Sequence, residues 1–199
     1  MNTPISYSPE TYKKNDGELN STLSNMFADA TYEMSNPVFN KMSGKNIDIV
    51  LLNNGGIRSI ISKGNISEKT AFELMPFENS IVVLELSGLS IIKMIDYLRK
   101  VKLQHPISGL QITLNNDYSV NEVKINGVSI ENEKKYYVAT TDYLLEGGDK
   151  MYFLAETTKT TDINYKMRDI LIDYFKKYDT LKLKSDNRFI RTKWIEKPF

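Results

Sequence analysis

Ile47-Asp48-Ile49-Val50-Leu51-Leu52-Asn53-Asn54-Gly55-Gly56-Ile57-Arg58 joins an apolar, β-branched run to two amides, two glycines and a cation. The run through Leu52 reads as a largely buried strand leading straight into the loop that Asn53 opens. A strand ending this way sets chain-turning and polar residues at the edge of a rigid scaffold, as a loop-borne site needs. Two further stretches repeat the pattern, Pro76-Phe77-Glu78-Asn79 and Thr141-Asp142-Tyr143-Leu144-Leu145-Glu146-Gly147-Gly148-Asp149. A single Gly-Gly marks only a turn. Three such loops, each following an apolar or helical run, outline a binding site.

Outward from these loops the pattern is mixed. Leu23, Met26, Phe27, Ala30 and Met34 follow helical spacing and predict a helix over about residues 20–34. Ser67 is placed to cap a helix over 68–75, which Pro76 ends because the residue before proline avoids helical dihedrals. Residues 80–86 read as a strand, and Leu89, Ile91, Ile92, Met94, Ile95 and Leu98 as an amphipathic helix. Strands are expected over 109–114, 122–125, 128–130 and 136–141, with Asn126-Gly127 as a hairpin turn. A helix over 163–177 and a last strand over 188–194 complete the series. With no internal repeat, this order predicts a single α+β domain with a mixed sheet and packed helices. Residues 1–17, polar and without sustained periodicity, read as an N-terminal arm packing against something else, and 18–199 as the domain.

The chain has 199 residues, 41% hydrophobic and 26% charged, values of an ordinary globular domain. A net charge of +1 argues against a nucleic-acid or membrane-surface binder, which carries a strong basic excess. No apolar run approaches the roughly 18 residues of a membrane span. There is no cysteine, which removes disulfides, thiolate metal sites and thiol nucleophiles. The opening Met1-Asn2-Thr3-Pro4-Ile5-Ser6 has neither the basic nor the apolar region of a signal peptide.

The order and content of the three loops resemble the C-terminal domain of the 5'-nucleotidase family, which includes bacterial UDP-sugar hydrolases and ecto-5'-nucleotidases. Asn20 to Ala30 is similar to the family's helix ending in Ala-Asp-Ala, and the spacing from Gly64-Asn65-Ile66-Ser67 to Pro76-Phe77 agrees as well. The likeness covers residues 18 to 155 best. It implies the substrate-recognition half of a phosphoester hydrolase in nucleotide catabolism. Family members carry the chemistry on an N-terminal metallophosphatase domain with two metals and a catalytic histidine. Here His105 is the sole histidine, and one imidazole does not build a di-metal centre. The expectation is therefore a chain without catalytic or metal-binding residues, taking a nucleotide or nucleoside and working with a separate metallophosphatase chain that holds the divalent metals. The alternatives are a non-catalytic nucleoside-binding or scaffold module, or a domain that only mediates dimer contacts. Family likeness implies a periplasmic or otherwise extracytoplasmic location if a leader was removed; the sequence read as complete implies a cytoplasmic one.

Arg58, just past two glycines, sets a cation and open backbone N–H groups where a ligand anion fits. By resemblance it faces phosphate; the alternative is a salt bridge to a nearby carboxylate. Asn53 is implied to bond the nucleoside, or else serves the loop's conformation. Phe77 and Tyr143 each read alone as core packing; the resemblance makes them an aromatic clamp on the base. Asn79 can donate and accept at a base edge, and the Asp149 carboxylate can accept from ribose hydroxyls. A helix N-cap is the alternative for Asp149. Glu78 stands where the family usually has glycine, and Lys150 where it has a small residue. The family's further arginine ahead of the first helix has no counterpart; only Lys13 and Lys14 lie there, as candidate phosphate contacts or solvated arm residues. The basic, aromatic-interleaved C-terminal run from Lys176 to Trp194 is diluted by acids and reads as a solvated face rather than a nucleic-acid surface. His105, before Pro106, reads as filling a turn.

Overall fold

The computed structural model describes residues 1–192. Its centre is a five-stranded mixed sheet. The strands, in chain order, are β1 (Pro4–Ser8), β2 (Ile49–Leu51), β3 (Gly64–Ser67), β4 (Ser80–Ser87), β5 (Ile107–Ser108), β6 (Leu110–Leu114), β7 (Val120–Ile125), β8 (Lys135–Thr141), β9 (Lys159–Lys166) and β10 (Phe189–Arg191). The central sheet runs β5-β2-β8-β4-β9, with β2 parallel to β8 and the other pairs antiparallel. A three-stranded sheet, β10-β6-β7, and the pair β1-β3 lie beside it.

Both faces of the central strands are buried, which explains their near-continuous apolar runs. Ile81 and Val83 face one core, with Leu23, Phe27, Ile170 and Phe175. Val82, Leu84 and Leu86 face the other, with Ile91, Met94, Leu98 and Ile112. The first core lies under helices α1 (Thr22–Ser43), α2 (Glu68–Leu74) and α5 (Met167–Lys177); the second lies under α3 (Gly88–Val101) and the short α4 (Asp142–Leu145). Each fully buried aliphatic or aromatic side chain here contributes about 1.5–3 kcal/mol.

Several expectations shift at their edges. Helix α1 continues past Met34 and through Pro37, because Phe39 on the added turns is buried and packs on Tyr137 at 5.4 Å. It ends at Gly44 in the left-handed region. Asn126 and Gly127 make the expected turn, both with positive φ, yet 128–130 returns only as a single bridge, Ile125 to Val128. The expected helix over 163–177 begins at Met167, since 159–166 is the edge strand β9. Only Ile163 of β9 is buried. Of the last expected strand, Phe189–Arg191 forms, while Lys193 and Trp194 lie outside the described residues.

The first seventeen residues pack against the domain itself. Strand β1 pairs antiparallel with β3, Tyr12 bridges to Ile61, and the Tyr12 ring sits in the first core. No described helix is long and apolar enough to cross a membrane.

Candidate functional site

The three loops converge. Asn53, Arg58, Phe77, Asn79, Tyr143 and Asp149, together with Gly55, Gly56 and Glu78, line one cleft of about 560 Å³. Phe77 is 42% exposed and Tyr143 44%, so neither ring is spent on core packing.

Each side chain is set by its local fold. Strand β2 delivers Asn53, whose backbone is extended (φ −97°), so no left-handed conformation is at work there. Its amide folds over the following turn: a Cβ at Gly56 would lie 3.0 Å from Asn53 Oδ1. Arg58 is anchored by its N–H to Leu74 O, while its guanidinium donates to Gly55 O at 3.4 Å and lies 5.8 Å from the Phe77 ring centre. Among the described residues it forms no ion pair, so the cation is turned to the cleft and not to a structural carboxylate.

Asp142, the first residue of α4, was not singled out from the sequence. Its carboxylate accepts from Asn79 Nδ2 at 3.0 Å and from Ser80 N–H at 3.2 Å, tying the second loop to the third. The one legible signal was an acid at a strand-to-helix junction, where capping residues concentrate. Asp149 sits in a left-handed turn (φ 50°) with Gly147 (φ 96°). It does not cap a helix; its Oδ1 accepts from Tyr143 Oη at 3.2 Å, and its carbonyl accepts from Tyr97 Oη at 2.8 Å.

Gly148 is required by close approach. A Cβ there would lie 2.6 Å from both Tyr143 Cζ and the Tyr143 carbonyl oxygen. Gly148→Ala is therefore expected to displace the Tyr143 ring and weaken ligand binding by an amount similar to losing the ring, about 1–3 kcal/mol, with the fold retained. Calorimetric titration beside a melting curve checks this.

Lys13 and Lys14 stand away from the cleft lining. Lys14 Nζ donates to Ile57 O at 2.8 Å and to Asn54 O at 3.4 Å, bracing the loop from behind; burial and the neighbouring Arg58 charge push its pKa down. Lys13 is exposed. Glu78 lines the cleft, but its carboxylate is gripped by Lys166 and Arg168, which hold its pKa down to about 2. Arg168, unnoticed in sequence, is 8% exposed and lies 4.0 Å from the Phe72 ring centre.

His105 fills a turn and does more. It is 2% exposed and its Nδ1 accepts from Asn54 N–H at 3.2 Å, so it holds the first loop. Tyr97, which bonds the Asp149 carbonyl, has its ring centre 5.9 Å from the imidazole. Among the described residues no group of three or more His, Asp or Glu side chains is placed to hold a metal ion, so the family's metals have no fitting ligand set among them. The basic C-terminal run is largely paired: Lys176 with Glu68, Lys177 with Glu33, Arg188 with Asp29 and Asp186, and Arg191 with Glu18.

Known proteins resemble this chain in sequence and in fold. The family model described as 5'-nucleotidase, C-terminal domain, matches residues 4–156. Protein UshA of Escherichia coli (strain K12) is 32% identical over 115 residues, which cover 55% of this chain and 20% of that protein. Cell wall protein Lmo0130 of Listeria monocytogenes is 32% identical over 144 residues, 65% of this chain and 18% of that protein. The 5'-nucleotidase precursor from Thermus thermophilus shares the fold, with a TM-score of 0.82 at 22% identity, covering 100% of this chain and 40% of that one. The chain thus spans about a fifth of the length of these curated relatives.

Proposed function

The chain belongs to the 5'-nucleotidase C-terminal domain family, and on that premise we propose that it is the nucleotide- or nucleoside-recognition unit of a phosphoester hydrolase. The observation that carries the reading is the gathering of two half-exposed rings, a guanidinium turned to the cleft and a carboxylate around one space of base-plus-sugar size. Phe77 and Tyr143 would take the two faces of a base, which accept any base because each has a π face. Asp149 would accept from ribose hydroxyls, Asn53 and Asn79 would meet polar edges, and Arg58 would meet phosphate as a fork matched to its oxygens.

In this reading the metals and the activated water come from a metallophosphatase chain, in which a divalent ion lowers the pKa of bound water and polarises the ester. This chain would orient the nucleotide and leave the bond-breaking to its partner. The name of the Listeria relative favours an extracytoplasmic setting, which fractionation of the native host would test.

Two measurements test the proposal. A nucleoside or nucleoside monophosphate at about 100 times its Kd is expected to stabilise the protein by roughly 2.7 kcal/mol, read as a rise in melting temperature; no rise with any common base overturns the recognition role. Phosphate release from nucleoside monophosphates by a metallophosphatase chain with divalent metal is then expected to increase when this chain is added. An unchanged rate with confirmed nucleoside binding would leave a non-catalytic nucleoside-binding module.

A further inference from the structure

Besides the Asp142 carboxylate that holds Asn79 and Ser80, the Phe77 loop is gripped by the start of α5. Strand β4 pairs Ser80 with Lys166, which lays the start of α5 beside residues 76–79. Three consecutive residues there grip the loop. Lys166 Nζ donates to Glu78 Oε2, Met167 N–H donates to Asn79 O at 2.9 Å, and Arg168 donates through Nη2 to Glu78 Oε1 and through Nη1 to Pro76 O at 3.4 Å. Arg168 is itself seated, nearly buried, against Phe72 of α2. The residues on both sides of Phe77 are thus fastened to one guanidinium, while the Phe77 ring projects into the cleft.

We propose that Arg168 is the positioning residue for Phe77: acting through Pro76 and Glu78, it sets the angle at which the ring meets a stacked ligand. The inference deepens the recognition reading above and rests on it for its meaning, but not for its geometry. An isolated loop of this kind samples many ring orientations, and fixing one before the ligand arrives removes an ordering cost from binding. A partly buried Arg paired to an exposed carboxylate serves this purpose better than an exposed pair, whose worth is small.

The experiment reads the ring and the ligand separately. 4-Fluorophenylalanine placed at position 77 alone reports ring environment by fluorine NMR without ligand, and calorimetric titration with adenosine and uridine reports binding. Glu78→Gln and Arg168→Met are each expected to shift or broaden the fluorine signal and to weaken nucleoside binding roughly tenfold, ~1.4 kcal/mol. The double variant should cost less than the sum of the single ones, because both weaken the shared Arg168–Glu78 link. Arg168→Lys, which keeps the pair to Glu78 but not the reach to Pro76, should recover part of both signals.

A fluorine signal identical to wild type in Glu78→Gln and Arg168→Met overturns the positioning role, whatever the ligand does. Changed fluorine signals in these variants, together with a wild-type protein that binds no nucleoside, support the positioning role and overturn the recognition reading instead. Melting curves on every variant separate a moved ring from an unfolded domain.

Discussion

Replacing Phe77 and Tyr143 together with alanine is expected to weaken nucleoside binding at least about thirtyfold, since each stacked ring is worth about 1–3 kcal/mol and tenfold in affinity is about 1.4 kcal/mol. The same double variant should fold as before. Both rings are more than two-fifths exposed, and truncating surface side chains ordinarily changes stability by no more than about 0.5 kcal/mol. The pairing of a large binding loss with an unmoved melting curve is what distinguishes a clamp from a core. Tyr143→Phe is the internal control. It removes the hydrogen bond from Tyr143 Oη to Asp149 Oδ1 but keeps the π face, so it should cost far less than the alanine change. If calorimetry finds the double variant binding nucleosides as the wild type does, the two rings do not hold the base, and the cleft takes its ligand another way.

Why the cleft was legible in the sequence, and its supports were not, follows from how each residue acts. The lining residues sit in short loops marked by Gly or Pro, directly after apolar runs, so local pattern and family likeness located them together. The strands and helices flanking them were legible for the same reason: alternating or helical apolar spacing is a local property. What escaped was whatever depends on distant pairing. Strand β9, Lys-Thr-Thr-Asp-Ile-Asn-Tyr-Lys, has one buried residue and draws its identity from the register against β4. By local pattern Arg168 is one more charge on an amphipathic helix, and only that register brings it beside Pro76 and Glu78. Glu78 was noticed as a departure from a glycine, yet the two cations that answer it lie some ninety residues along the chain. The polar first seventeen residues gave no periodic signal, because β1 has only two buried residues, Ser6 and Ser8, both polar, and Tyr12 enters the core alone.

Lowering the pH from about 6.5 to 4 is expected to destabilise the protein by about 3 kcal/mol through His105 alone. Burial pushes the imidazole pKa down to about 4, against the opposing pull of the Asp149 charge. In the unfolded chain the same ring titrates near its ordinary value of 6.5. Between these two values the unfolded state carries a proton that the folded state does not, so stability rises with pH across that window and falls as acid is added. His105 is the sole histidine, so its share of the slope is the part lost when it alone is replaced; Asp48, whose pKa burial raises, acts in the opposite direction at the acid end. Exposed carboxylates with lowered pKa values, such as Glu78, add their own loss only further down, below about 4.5.

The structural consequence is local as well as global. Nδ1 accepts the Asn54 N–H, and a protonated imidazole has no lone pair left to accept with, so charging His105 releases the loop that carries Asn53 and Arg58. In the folded protein that charging comes only as the pH falls through about 4, so ligand affinity should hold across the upper part of the window and fall near its lower end. His105→Asn keeps a side-chain acceptor near Asn54 without a titrating group. It is expected to flatten the stability profile between pH 6.5 and 4.5, at the cost of a lower but pH-independent stability from imperfect packing. Chemical denaturation at half-unit pH steps decides the matter: an equal slope in wild type and His105→Asn would show that the buried imidazole does not govern acid sensitivity and that the Asn54 loop is held by other bonds.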